Sequence, residues 1–464
     1  MNVFDEDLDM AKQIANMVFE KGGRTYFVGG YVRDHLLGKP NKDVDIEVHG
    51  IAPKDLEDIL DSLGERISVG ESFGIYNLKG FSIDVAMPRK EKARGTGHKD
   101  FDIVVDPYVG TLSAARRRDF TINAFMQDVI SGEIVDHFYG RSDLNARVLR
   151  HVSGESFVED PLRVLRAAQF AARFDFVVAD ETIALCERID LHNLSKERIE
   201  GELRKALLKS NKPSVFFETL RMMDQLSTWF PELEALIDVP QNAKHHREGD
   251  VWTHTMMVLD EAVQFRDCVS NPFGFMLSAV THDFGKALCT EVINGEIHAY
   301  KHENQGLAPA GQFLHRITNE TKLIEYVLNL TELHMMPNIA VAANSSIKAT
   351  NKMYDQAIDP VALICLGLAD GLGKLPQHAN ERNKAFLYDR LAIYNEYMSR
   401  PYVRGRDLVE HGIVAGRDFT EYLDYAHKLR LAGVDKESAI KQVLAYVRKK
   451  RGNKASPVPE ETMV

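Results

Sequence analysis

Cysteine is scarce: Cys186, Cys268, Cys289 and Cys365 are spread through 464 residues without a C-x-x-C pair. That excludes a disulfide scaffold and a thiolate zinc site, and fits buried thiols in a reducing compartment. No window offers the roughly 18 uninterrupted apolar residues of a membrane span. The first ten residues, MNVFDEDLDM, are acidic where a secretory signal is basic and then apolar, so a water-soluble cytoplasmic protein is expected. Positive charge is in deficit as well, with 57 Lys and Arg against 68 Asp and Glu and a formal net charge of −11. Phosphate binding draws on Lys and Arg, so any nucleic-acid surface has to be local. Candidates are Arg116-Arg117-Arg118, the series Arg163, Arg166 and Arg173, and the tail run Arg448-Lys449-Lys450-Arg451, which reads first as a solvated charged face.

The length points to two to four domains of roughly 100 to 200 residues each. An amphipathic helix over 5–21 ends at Gly22-Gly23, a strand covers Tyr26 to Val28, and Gly29-Gly30 leads into a helix over Val32 to Leu37. After a turn at Gly38-Lys39-Pro40-Asn41 comes the alternating strand Val44, Ile46, Val48, with further strands expected at 66–69, 74–79, 81–87 and 102–105. From about 155 onward the pattern is helix after helix, so the fold class is α+β with a small mixed sheet followed by an all-α remainder. Joints near 150, 236–248 and 373–382 divide the chain into 1–150, 151–240, 241–375 and 376–464, with SPVPEETMV at the end expected to be disordered.

Asp43 and Asp45 sit two apart on a strand, which turns both carboxylates to one face, where they can share metal ions. A D-x-D alone more often marks a solvated edge. Here it follows a glycine turn, Gly29-Gly30, whose backbone N–H groups can approach a phosphate, with Arg33 one helical turn in. Asp84, in the alternating run FSIDVAM, is either a third carboxylate at the same metals or a surface acid.

The segments VGGYVRDHLLGKPNKDVDIEV, RRRDFTINAF at 116–125 and EDPLRVLRAAQFAARF at 159–174 together resemble the class II tRNA nucleotidyltransferase and bacterial poly(A) polymerase family. The resemblance spans 26 to about 235 and implies a nucleotidyltransferase head of the DNA polymerase β type, then helical neck, body and tail regions. It further implies Mg2+ at Asp43 and Asp45. Nucleotide contacts would come from Gly29, Gly30, Arg33, Arg118 and Arg166, with Asp119 and Asn123 on the ribose side. Asp160 and Arg163 would serve as an amino-acid template for CTP and ATP, because a carboxylate accepts from an exocyclic amino group and a guanidinium donates to ring nitrogen and carbonyl acceptors. Gln169 stands where relatives often carry Arg, and LSKERIEGEL at 194–203 resembles a structural helix start.

His254, the pair His282-Asp283 and Asp370 form a second constellation of N and O ligands that suits Mn2+, Ni2+, Fe2+ or Mg2+. The order H…HD…D in a helical region resembles the HD phosphohydrolase superfamily. Its place behind the nucleotidyltransferase matches a multifunctional subgroup associated with phosphatase, 2′-nucleotidase and 2′,3′-cyclic phosphodiesterase activities. Lys286, His302 and His334 are candidates for phosphate binding or for support of the ligands. The expected function is CCA addition to tRNA by a monomer or homodimer. A CC-adding or A-adding enzyme, a poly(A) polymerase, and an HD hydrolase that keeps the head as an RNA-binding module are the alternatives. The first three rest on a mobile stretch expected within Glu91 to Asp106.

Overall fold

In the computed structural model, residues 3–40, 43–68, 74–93, 101–377 and 381–453 are described. They form two units, Met1–Trp229 and Phe230–Val464. The stretch expected to be mobile lies partly outside the described residues, at 94–100, and the tail lies outside them from 454 onward.

In the first unit, helix α1 (Val3–Glu20) buries Met10, Ala11, Ile14, Ala15 and Val18 along one face. Gly22, at φ +85°, lets the chain reverse, and a Cβ on Gly23 would lie 2.6 Å from the His49 carbonyl, so strand β1 (Arg24–Val28) starts tight against its neighbour. Helix α2 (Gly30–Leu36), β2 (Val44–His49), α3 (Pro53–Leu63), β3 (Arg66–Ser68), β4 (Ile75–Leu78) and β5 (Ile83–Ala86) follow. Then come the separate hairpin β6 (Arg89–Ala93) and β7 (Phe101–Val105), α4 (Gly110–Arg116), β8 (Met126–Asp128) and β9 (Ile134–Val135).

The main sheet runs β3-β4-β5-β2-β1-β8-β9. β2 and β5 are parallel, with Asp45 opposite Asp84, and β2 buries Val44, Ile46 and Val48. Alternation therefore sends Asp45 and Glu47 to the other face.

Helices α5 (Gly140–Ala146), α6 (Gly154–Phe157), α7 (Leu162–Phe174), α8 (Asp180–Cys186), α9 (Lys196–Lys209), α10 (Ser214–Met222) and α11 (Leu226–Trp229) complete the unit. Two two-residue strands, β10 (Val148–Leu149) and β11 (Val177–Val178), pair in parallel among them. α7 packs against α9 and α10 through buried Val164, Leu165, Ala168, Ala171 and Ala172.

The second unit holds α12 (Pro231–Glu234), α13 (Val251–Ala262), α14 (Pro272–Thr281), α15 (Lys286–Cys289), the hairpin β12 (Glu291–Ile293) and β13 (Glu296–His298), and α16 (His302–Gln305). It continues through α17 (Leu307–Ile317), α18 (Thr321–Leu333), α19 (Met335–Ala342), α20 (Ile347–Gln356), α21 (Pro360–Leu372) and α22 (Glu381–Ser399). α14 is buried all round from Phe273 to Thr281 and packs on α13, α18 and α21, which makes it the central helix. Asp250, Asn271 and Asp359 cap α13, α14 and α21 by accepting from backbone N–H groups. α23 (Gly405–Glu410), α24 (Phe419–Leu431) and α25 (Lys436–Asn453) close a small core of Leu408, Ile413, Tyr422, Ala426, Val443 and Val447.

Gly285 fixes the approach of the 282–286 segment to the chain around His302. A Cβ there would fall on the His302 carbonyl oxygen and lie 2.6 Å from Gly306 N, backbone atoms that cannot swing aside. Gly285→Ala is expected to destabilise the second unit by about 1–3 kcal/mol, read as a lower urea midpoint; an unchanged midpoint would show that this packing tolerates the methyl group.

Candidate active sites

The first unit encloses a cavity of about 620 Å³ lined from several separate segments. Gly29, at φ +64°, ends β1, and a Cβ there would sit 3.5 Å from an Arg118 Nη1. Arg33, one turn along α2, is buried, stacks 4.5 Å from the Phe174 ring centroid, and donates to Asp34 Oδ1 at 2.8 Å and Asn123 Oδ1 at 2.6 Å. Asn123 in turn donates to Asp119 Oδ1 at 2.9 Å, which also accepts from Phe120 N at 2.8 Å, and Arg166 Nε donates to Asp119 Oδ2 at 2.8 Å. Burial alone would raise the Asp119 carboxyl, but Arg166 and these donors hold it below the ordinary carboxylate range. Arg33, Asn123, Asp119 and Arg166 thus form one network, and the two residues expected on the ribose side are engaged in holding the two arginines.

Asp43 and Asp45 line this cavity; Asp84 is not in the lining and accepts from Asn77 Nδ2 at 2.6 Å on the neighbouring strand. Burial, then Asp84, raise the Asp45 carboxyl above its ordinary value, with Asp43 adding to them and Arg118 opposing. A divalent cation fits that excess of negative charge. Asp160 and Arg163 are also in the lining. Arg163 donates to the carbonyls of Ser156 at 2.5 Å and Arg117 at 2.8 Å, which leaves Asp160 to a different partner: both its oxygens lie 2.8 Å from Arg198 Nη2. Gln169 is 1% exposed and lines the cavity, and its Nε2 has no hydrogen-bond partner.

Two members escaped the sequence reading. Glu47 continues the alternation of Asp43 and Asp45 and, buried, holds Arg118 Nη2 at 3.1 Å and His49 Nε2 at 2.9 Å. Arg198 lies in the segment read as a structural helix start, and only the packing of α9 on α7 reveals its contact with Asp160.

In the second unit, His254 of α13, His282 and Asp283 after α14, and Asp370 of α21 converge, all buried. His254 Nε2 lies 3.1 Å from Asp370 Oδ1, 3.4 Å from Asp283 Oδ2 and 3.4 Å from His282 Nε2. On the other side of Asp283, His302 Nε2 is 3.2 Å from Oδ1 and His334 Nε2 is 3.2 Å from His302 Nε2. The Nδ1 atoms of His282, His302 and His334 face the carbonyls of Ala279 at 2.9 Å, Ala299 at 2.9 Å and Thr331 at 2.7 Å. A carbonyl only accepts, so those nitrogens carry the hydrogens and the Nε2 atoms turn inward, each offering a lone pair once any second proton is gone. Lone pairs that face one another at such distances call for a cation between them.

His254-His282-Asp370 and Asp283-His302-His334 are accordingly two ligand groups side by side. His302 and His334, read from sequence as phosphate-binding or supporting, stand in the second of them. Burial, ahead of every other influence, pushes His334 down to about 3, which keeps it neutral. Lys286 Nζ is 2.7 Å from Asp283 Oδ2, though off hydrogen-bond geometry, and 2.8 Å from Gln241 Oε1. Lys374, Glu248 and His246 were missed. Lys374 Nζ is 2.9 Å from Asp370 Oδ2, and Glu248 Oε1 takes His246 Nδ1 at 2.7 Å and His254 Nδ1 at 3.2 Å. The spacing H-x-E ahead of His254 is the signal that would have found two of them.

No helix among the described residues is long and apolar enough to cross a membrane. Residues 25–150 match the family described as the poly A polymerase head domain. The multifunctional CCA protein of Actinobacillus pleuropneumoniae serotype 5b is 38% identical over 317 residues, covering 67% of this chain and 74% of that protein. That of Pasteurella multocida is 35% identical over 408 residues, covering 84% and 92%. Among solved structures, the Thermotoga maritima CCA-adding enzyme complexed with tRNA superposes with a TM-score of 0.63 at 20% identity over 95% of both chains, a likeness that shows the fold. With a head of this fold and relatives matched along most of their length, the chain belongs to the family of multifunctional CCA proteins, the class II CCA-adding enzymes.

Proposed function

We propose that the chain completes the 3′-terminal CCA of tRNA from CTP and ATP without a nucleic-acid template. The observation that carries this reading is that Asp43, Asp45, Arg33, Arg118, Arg166, Asp160 and Arg163, far apart in sequence, line one cavity. Gly29 and Gly30 admit the triphosphate, and Arg33 and Arg166, fixed through Asn123 and Asp119, meet its charge. Asp160, paired with Arg198, retains lone pairs for the exocyclic amino group of C or A, and Arg163 donates to the base; U and G present the wrong edge. Mg2+ held by Asp43 and Asp45 would supply compensation for the charge that develops as the tRNA 3′-hydroxyl attacks and pyrophosphate leaves. The helical regions hold the acceptor arm by shape and backbone rather than by sequence.

The second unit supports a further reading, a metal-dependent phosphohydrolase acting as a phosphatase, 2′-nucleotidase or 2′,3′-cyclic phosphodiesterase. The inward-facing imidazoles and shared Asp283 suit Ni2+, Mn2+ or Fe2+, and such an ion would supply Lewis acidity and a nucleophile from water at neutral pH. Lys286 and Lys374 hold Asp283 and Asp370 ionised and add positive charge for a phosphate.

Asp43→Ala is expected to abolish nucleotide addition and spare phosphoester hydrolysis, and Asp283→Ala to do the reverse, measured on the same folded preparations. Loss of both activities in either variant would contradict two independent sites. Arg163→Ala should blur the choice among the four nucleoside triphosphates. Gln169→Leu, which removes one unpaired donor, should raise KM for CTP and ATP alike by roughly two- to tenfold with the base preference intact. A Gln169→Leu variant with altered preference would place that side chain at the base instead.

A further inference from the structure

The second-unit cavity, about 790 Å³, is larger than the ring of ligands alone requires. Sites of some 300–1,000 Å³ enclose whole small molecules, so a phosphate held by Lys286 and Lys374 beside the metal ligands leaves room for a substantial leaving group next to it. The wall facing that space comes from the hairpin. β12 and β13 turn at Asn294 and Gly295, both at positive φ, and the chain leaving β13 carries His298 and Tyr300 into the cavity lining. Their rings are stacked, with centroids 4.9 Å apart and planes 12° from parallel, and Tyr300 is 63% exposed. Two residues on, His302 belongs to the ligand group around Asp283. Extended chain spans at most about 7 Å in two residues, so the backbone of Tyr300 stays within that reach of His302, and both residues line the same cavity.

A flat ring pair with an exposed tyrosine, in one cavity with Lys286 and Lys374, suits a planar base joined through a sugar to a phosphate. We propose that His298 and Tyr300 form a base-stacking platform that makes the second site prefer a nucleoside phosphate, free or at the end of an RNA strand, over a phosphomonoester without a base. This rests on the phosphohydrolase reading for its catalytic use but not for its binding. Asn242, Asn338 and Lys244 lie in the same lining and offer polar contacts to the sugar or base. Lys244 is tied to Glu296 of β13 at 2.5 Å, which fixes the hairpin against the segment that carries Gln241, the partner of Lys286.

The test compares uridine 2′-phosphate, an oligoribonucleotide ending in the same 2′-phosphate, and β-glycerophosphate; uracil is chosen because it is a poor match to Asp160 and Arg163. In calorimetric titrations of metal-depleted protein, Tyr300→Ala is expected to weaken uridine 2′-phosphate binding by at least about tenfold, as loss of base–aromatic stacking does, and Tyr300→Trp to restore it. In metal-loaded protein the ratio of kcat/KM for uridine 2′-phosphate to that for β-glycerophosphate should fall by a similar factor. Preference for the oligomer or for the mononucleotide keeps the platform and identifies the source of its ligand. Equal binding by wild type and Tyr300→Ala, with an unchanged ratio, would overturn the platform. Failure of the wild type to hydrolyse any of the three would overturn the phosphohydrolase reading alone, because the binding titration still decides the platform.

Discussion

Asp119 is a buried carboxylate surrounded by cationic and amide donors, and the geometry of the first site depends on it. Arg33 and Arg166 come from helices more than a hundred residues apart, and a nucleotide pocket needs both close to one triphosphate. Two such cations repel, and burial pulls the Arg33 guanidinium below its ordinary pKa. A buried charge left without its partner costs about 3–5 kcal/mol; Asp34 pairs directly with Arg33 and Asp119 with Arg166, and Asn123 bridges Asp119 to Arg33, so both arginines are held and aimed before substrate arrives. Glu47 does the same for Arg118 from the strand that carries Asp43 and Asp45. Recognition of an anion is thereby built on fixed anions beneath the cations.

The second unit solves the opposite problem. Around Asp283, imidazole Nε2 atoms and carboxylates are gathered, with the outer nitrogens of His282, His302 and His334 committed to backbone carbonyls, an arrangement that is favourable only around positive charge. α14, buried on every side, provides the rigid support that ends at His282 and Asp283. Gly285 then brings that segment onto the chain of His302, which joins the two ligand groups.

The head was legible because its chemistry lies in contiguous runs: a strand, a glycine turn and an alternating D-x-D are local features, and their boundaries agree within a few residues with β1, α2 and β2. The α+β class followed from the change of period after about 155. Residues that act through distant partners were not legible. Arg198 meets Asp160 only because α9 packs on α7, and Lys374 meets Asp370 one helical turn later at a helix end, where the run after Asp370 looked poor in charge. The strands of β10, β11, β12 and β13 are two or three residues long, too short for periodicity to register, although Asn294-Gly295 between the short runs EVI and EIH was a hairpin signal in plain view.

The central claim, template-independent completion of CCA, is tested most directly by product length. Purified protein with Mg2+ is given tRNA transcripts ending before CCA, after C and after CC, with CTP and ATP separately and together. Completion of all three to CCA, followed by arrest, is the predicted result. Extension of only one class of transcript, long A tails, or no extension at all would contradict it.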